Sequence, residues 1–231
     1  MKAQCHWPTF GVARDRMRRI VVQGGRLSAA VCICLALSGA ASAEVVRIEE
    51  DWRVEITAPE PLDHAPQIVN VISPLSSLDW THAVFEINHA TLPEYYEGGM
   101  QLQRWFGEYV LDYRNAPGTD LLNTDNETIT YTIRMKVGEG KLQFEVVDGN
   151  SETWGTFGGE GYLKHSEDTI ITDLDNYNPA TSVGNSRIGF ASHRVKKFVR
   201  TQVRYYDADN ALVATDETEH VVHQHLAESG S

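Results

Sequence analysis

From Thr128 to Val137 the chain reads TITYTIRMKV, and every second residue is apolar. Ile129, Tyr131, Ile133, Met135 and Val137 fall on one side, and Thr128, Thr130, Thr132, Arg134 and Lys136 on the other. A period of two is the repeat of an extended strand, whose side chains point to opposite faces in turn. Gly138-Glu139-Gly140 follows, and Leu142, Phe144 and Val146 resume the alternation. Two such runs around a short Gly-containing link predict a β-hairpin with one apolar and one polar face.

A second hairpin is predicted by the long run Val195 to Tyr206, the turn residues Asp207-Ala208-Asp209-Asn210, and a return over Ala211 to Thr215. Strict alternation puts Val199, Thr201, Val203 and Tyr205 on one face of the long strand. Lys196, Phe198, Arg200, Gln202, Arg204 and Tyr206 fall on the other. Further strands are expected at Trp52–Ile56, Gln67–Ile72, Trp80–Asn88, Met100–Phe106, Glu108–Arg114, Thr169–Thr172 and Arg187–Ser192. Leu75–Leu78 predicts one helical turn, and no longer segment carries a helical period. Many short strands separated by Gly, Pro and Asn predict an all-β fold, a two-sheet antiparallel sandwich. The charged stretch Glu44–Asp51 is expected to lead in as an edge, and residues 216–231 to form a polar tail with one short strand at His220–His223.

The first 43 residues read differently. Arg14, Arg16, Arg18, Arg19 and Arg26 precede the apolar run Leu27–Leu37, and Ala41-Ser42-Ala43 follows as a small-residue cleavage site. The run is shorter than the roughly 20 residues a membrane-spanning helix needs. The expectation is a cleaved signal peptide over residues 1–43, a secreted or periplasmic product, and a sandwich domain over 44–215. No anchoring apolar stretch follows Ala43, and Cys5, Cys32 and Cys34 all lie before it. The chain holds 20 Lys and Arg against 32 Asp and Glu; six and one of these lie in residues 1–43. Residues 44–231 therefore carry 14 against 31, a formal net charge of −17. Such a field repels phosphate backbones and argues against a nucleic-acid partner.

From Thr128 onward the order of features resembles the concanavalin A-like lectin/glucanase jelly roll. The long hairpin is followed by the loop Trp154-Gly155-Thr156-Phe157-Gly158-Gly159. The segments RIGFAS (187–192) and RVKKFVRTQVRYYD (194–207) then look like the penultimate strands of such modules. The resemblance implies a jelly-roll sandwich and a class of proteins that bind or cleave glycans. The Glu-x-Asp-x-x-Glu strand motif that β-glucan hydrolases of this fold use for a retaining mechanism is absent. Glu145 meets its Asp one residue late, at Asp148, and Glu86 is followed by Ile87 and Asn88.

Five groups of residues are candidates for chemistry. His82, Glu86 and Asn88 share a face by alternation and could bind sugar hydroxyls; a solvated sheet face has the same pattern. Trp105, Trp154 and Phe157, with Tyr95, Tyr96 and Tyr162, could stack on sugar rings or cap the ends of the core. Asp173, Asp175 and Asn178 offer the hard oxygens that calcium takes, although Tyr177 breaks the EF-hand spacing; a solvated turn reads the same. His220, His223 and His225 form a His-x-x-His-x-His string suited to a transition metal or incidental to a tail. Lys196, Arg200 and Arg204 could grip an acidic glycan or neutralise carboxylates on a neighbouring strand. These readings favour an exported, lectin-like sandwich that binds a polysaccharide or glycan without cleaving it, with calcium as the candidate cofactor. A lyase or hydrolase of the same fold, and a surface protein without a small ligand, stay open. Converging titratable groups in a deep cleft would mark the enzyme, exposed aromatics above a groove the binder, and a bare edge strand the structural protein.

Overall fold

The computed structural model describes residues 44–58, 65–89, 99–118, 120, 122 and 124–225. The leader expected over residues 1–43, the aromatic pair Tyr95 and Tyr96, and the end of the tail lie outside the described residues. Two open antiparallel sheets face each other across one core. The chain enters through β1 (Arg47–Ile56), and then builds a five-stranded sheet from β2 (Ile68–Ile72), β3 (Thr81–Ile87), β4 (Met100–Phe106) and β5 (Tyr109–Asn115). It returns to the first sheet through β6 (Thr128–Gly138), β7 (Lys141–Ser151), β8 (Gly155–Phe157) and β9 (Lys164–Asp168). A short helix, α1 (Pro179–Asn185), precedes β10 (Arg187–Ile188), which joins β2. The chain ends with β11 (Val195–Tyr206), β12 (Leu212–Asp216) and β13 (His220–Gln224). The larger sheet runs β12-β11-β1-β6-β7-β8, with β13 also on β11 and β9 also on β7; the smaller runs β10-β2-β3-β4-β5.

The predicted hairpin is β6–β7. Glu139 (φ 53°) and Gly140 (φ 69°) both take positive φ, the two-residue turn whose twist matches that of the strands it joins. Ile129, Tyr131, Ile133, Met135 and Val137 are all buried in the core, and the ring of Tyr131 meets Phe85 of the opposite sheet edge-on at 5.1 Å. Burying each such side chain stabilises the fold by roughly 1.5–3 kcal/mol relative to leaving it exposed.

Several expectations change. Glu44–Asp51 is no edge: β1 lies between β11 and β6, near the middle of its sheet. Its Ile48, Trp52, Val54 and Ile56 point into the core, while Arg47, Glu49, Asp51 and Arg53 pair across the outer face. The faces of β11 also depart from alternation. Asp51 pairs with Gln202 and Trp52 with Arg200, so Thr201 is a bulge residue opposite no partner. Phe198 and Arg200 consequently join Val203 on the inner side. Arg200 lies 3.7 Å from the buried Glu50 and donates to Pro179 O at 2.6 Å. Burial pushes the Glu50 carboxyl upward, opposed by hydrogen bonding from Tyr177 and the charge of Arg200.

Thr169–Thr172 forms no strand. The pairing of β9 ends with Asp168 opposite Lys141, the first residue of β7, and one further bond, from the Thr169 amide to the Gly140 carbonyl at 2.9 Å, closes the ladder at the β6–β7 turn. Within the RIGFAS segment the strand itself is only Arg187–Ile188; Gly189 and Phe190 add backbone bonds to Gln67, and Ala191 then turns left-handed (φ 51°) into a 3-10 turn at Ser192–Arg194. Leu75–Leu78 is a series of bends, and the helix appears instead at Pro179–Asn185, where Asn178 caps the Ala180 amide at 3.0 Å and proline begins the first turn. Its Ser186 hydroxyl accepts from Asn70 Nδ2 and from the Val71 amide, closing an edge of β2 that β10 is too short to cover. Among the described residues no helix is long and apolar enough to cross a membrane.

Candidate functional site

The five-stranded sheet buries one face in the core and carries a second, smaller apolar cluster on its other face. Alternation along β2 and β3 sends Val69, Val71, His82, Val84 and Glu86 outward, and register aligns them in rows. Val71 stands opposite Val84, Val69 opposite Glu86, and His82 opposite Trp105 of β4. Leu78, from the bends before β3, and Trp105 pack onto the three valines. Between them lies a pocket of about 260 Å³, completed by Gly107 and Glu108 of the β4–β5 turn, by Asn185 at the end of α1 and by Arg187 of β10.

Each polar group in this pocket has a fixed orientation. The indole of Trp105 lies 6.2 Å from the His82 ring at an interplanar angle of 21°, so the two stack. Trp105 Nε1 donates to Gln103 Oε1 at 2.8 Å, Gln103 Nε2 to Gln101 Oε1 at 2.6 Å, and Gln101 Nε2 to Asn115 Oδ1 at 2.7 Å. This chain of amides crosses β4 to β5 and locks the indole in place. His82 Nδ1 sits 3.0 Å from the Trp80 carbonyl. A carbonyl can only accept, so Nδ1 carries the proton and Nε2 is an acceptor. Burial holds the pKa of this imidazole below its ordinary value, so the ring is neutral at pH 7. Glu86 Oε2 accepts from Gln67 Nε2 at 3.4 Å and pairs closely with His89 Nδ1. Its other oxygen has no bond among the described residues. Exposed rings continue along the adjoining edge: Trp80 against Phe106 at 5.4 Å, then Tyr109 and Tyr113 of β5.

Of the sequence candidates, the structure brings together His82, Glu86 and Trp105. Asn88 does not join them. The alternation stops at Ile87, Asn88 takes φ 55°, and its buried side chain donates to the Ala65 carbonyl at 2.8 Å and the Pro66 carbonyl at 3.2 Å. Phe157 is core, 4% exposed, with its ring over Gly149. Trp154 lies half-buried against that core, its indole donating to Asp120 O at 3.1 Å. Neither lines the pocket.

The remaining groups serve the chain itself. Asp173 accepts from the Asp175 amide, Asp175 from the Val45 amide and Asn178 from the Ala180 amide, which ties each side chain into a turn or cap. Among the described residues no three His, Cys, Asp or Glu side chains converge on a metal position, the His220–His225 string included. Lys196 reaches Glu55, Arg204 reaches Asp51 and Glu49, and Arg200 is buried beside Glu50, so these cations neutralise carboxylates of β1. Sequence reasoning missed Leu78, Asn185 and Arg187. The Asn178-Pro179 pair could have announced the helix that carries Asn185 to the rim.

No protein-family model matches the chain, and no curated protein matches it.

Proposed function

We propose that the protein is exported and binds a carbohydrate without cleaving it, in the pocket walled by Trp105 and His82. The observation that carries this reading is the locked indole beside a valine floor, rimmed by Glu86, Glu108, Asn185 and Arg187. A sugar ring has an apolar face of C–H groups and an edge of hydroxyls. The first suits an aromatic wall and an apolar floor, and the second suits carboxylate, amide, imidazole and guanidinium partners. A volume near 260 Å³ suits a single sugar unit rather than a long chain. Export rests on the arrangement of residues 14–43 in the sequence.

The test is a glycan-binding screen of the full chain, followed by titration of any hit against Trp105→Ala and Trp154→Ala. Trp105→Ala is expected to weaken binding at least tenfold. Trp154→Ala is expected to lower stability and leave affinity unchanged. No saturable binding across a broad panel, or binding indifferent to Trp105→Ala, would overturn the proposal.

A second reading, an interaction protein, draws on β5. Among the described residues no strand pairs with its outer edge, and Tyr109, Val110, Leu111 and Tyr113 are all exposed along it. Concentration-dependent self-association measured by sedimentation distinguishes the two.

A further inference from the structure

The outer face of the larger sheet carries a reversal of the molecule's charge. At one end, Arg47 of β1, Arg134 and Lys136 of β6, and Lys164 of β9 surround a hollow of about 190 Å³ with Gln143 and Glu145 of β7. Residues 44–231 have a formal charge of −17, yet four cations meet here with one carboxylate in the lining.

Register makes the arrangement costly. Arg47 stands directly opposite Lys136, and like charges in that position destabilise a sheet. The nearby carboxylates do not balance the excess. Glu49, 5% exposed, accepts from Arg134 Nε at 2.8 Å and pairs with Arg204 at 3.3 Å and Arg47 at 3.5 Å, so it is shared among three guanidiniums. Those neighbours hold its pKa below the ordinary glutamate value against the opposing effect of burial. Glu145 is shared more loosely, 3.7 Å from Arg134 and 3.6 Å from Lys164. Lys136 has no carboxylate within ion-pair reach among the described residues. The Arg47 guanidinium is held in place over the Tyr206 ring, 3.7 Å from its centroid, and bonded to Asn210. One cation is therefore pre-positioned and another is unneutralised, on either side of the same register line.

We infer that this hollow binds an oxyanion, a carboxylate or sulfate group, between Arg47, Lys136 and Lys164. An anion there would relieve the Arg47–Lys136 repulsion, and planar guanidiniums suit two-point contact with such a group. At about 30 Å³ for each water the hollow has room for the anion and several waters. The site is on the opposite sheet from the Trp105 pocket and stands independently of it. The oxyanion could arrive free in solution or as the acid group of an acidic saccharide.

The full chain would be titrated with inorganic sulfate, with polygalacturonate, with dextran sulfate, and with neutral dextran as control. Saturable binding of sulfate alone assigns the site to a small anion. Saturable binding of one charged polymer, displaced by sulfate, assigns it to the acid group of a saccharide. In either case Lys136→Glu, at an exposed position with no pairing to lose, should weaken binding at least tenfold, and Lys164→Gln should weaken it several-fold. Lys196→Gln, on an exposed lysine outside the hollow, should change it less than twofold. Neutral dextran should not bind here. Absence of binding to all three anions, or equal loss with Lys136→Glu and Lys196→Gln, would overturn the inference.

Discussion

Gly149 offers a quantitative test of how the Trp154–Phe157 loop is held. It stands directly opposite Phe157 across the β7–β8 pair, and its missing side chain is the space the ring occupies. A methyl group at Gly149 would lie 2.3 Å from two ring carbons and 2.6 Å from a third. Carbon atoms pack best at about 3.5–4.0 Å, so the ring would have to move by more than an ångström within the core. Overpacking of this kind costs roughly 1–3 kcal/mol. The entropy that alanine removes from the unfolded chain offsets about 0.4–1 kcal/mol of that. In a domain of this size each kcal/mol lowers the melting temperature by about 2–4 °C, so Gly149→Ala should lower it by up to roughly 10 °C. Phe157→Ala should itself cost about 3–5 kcal/mol. Combining the two separates packing from backbone effects, because the new methyl would enter the vacated space and Gly149→Ala should then cost nothing. Urea unfolding of the four proteins, at constant m-value, would measure a coupling of about 1–3 kcal/mol. An equal cost for Gly149→Ala with and without the ring would refute the argument. It would also reopen Phe157 as a ligand-contacting residue.

Three further outcomes are expected. Asn88→Ala should destabilise by roughly 2–4 kcal/mol in chemical denaturation, from two lost carbonyl bonds and a left-handed backbone; Asn88→Gly should recover the backbone share. Burial lowers the pKa of both His82 and His165 below 6.5, so the folded protein binds protons less readily than the unfolded chain. Stability should hold above about pH 6.5 and fall as pH drops from there toward the lowered values, and urea midpoints at pH 7.5 and 5.5 should differ less in His165→Gln. Chelator followed by excess calcium should leave the melting temperature unchanged, because Asp173, Asp175 and Asn178 already accept backbone amides; a shift of several degrees would show that they bind the ion instead.

Where neighbouring residues alone set the conformation, the sequence was sufficient. The period of two in β6 and β7, the Gly-containing link between them, and the length of β11 are all local properties, and the sandwich follows from burying one face of each strand. His82 and Glu86 were legible as a pair for the same reason. What lay beyond the sequence was which strands are neighbours, since backbone hydrogen bonds do not depend on side-chain identity. Glu44–Asp51 reads as a charged edge, yet Arg47–Asp51 opens β1 near the middle of a sheet, where Arg134 and Arg204 of the two flanking strands face Glu49. One bulge at Thr201 exchanged the faces of Phe198 and Val199, and a left-handed turn at Asn88 removed a residue that alternation had placed in the site. The pocket itself gathers Val69, His82, Trp105 and Arg187 from four strands, and only tertiary pairing sets that distance, because it depends on register between segments far apart in the chain.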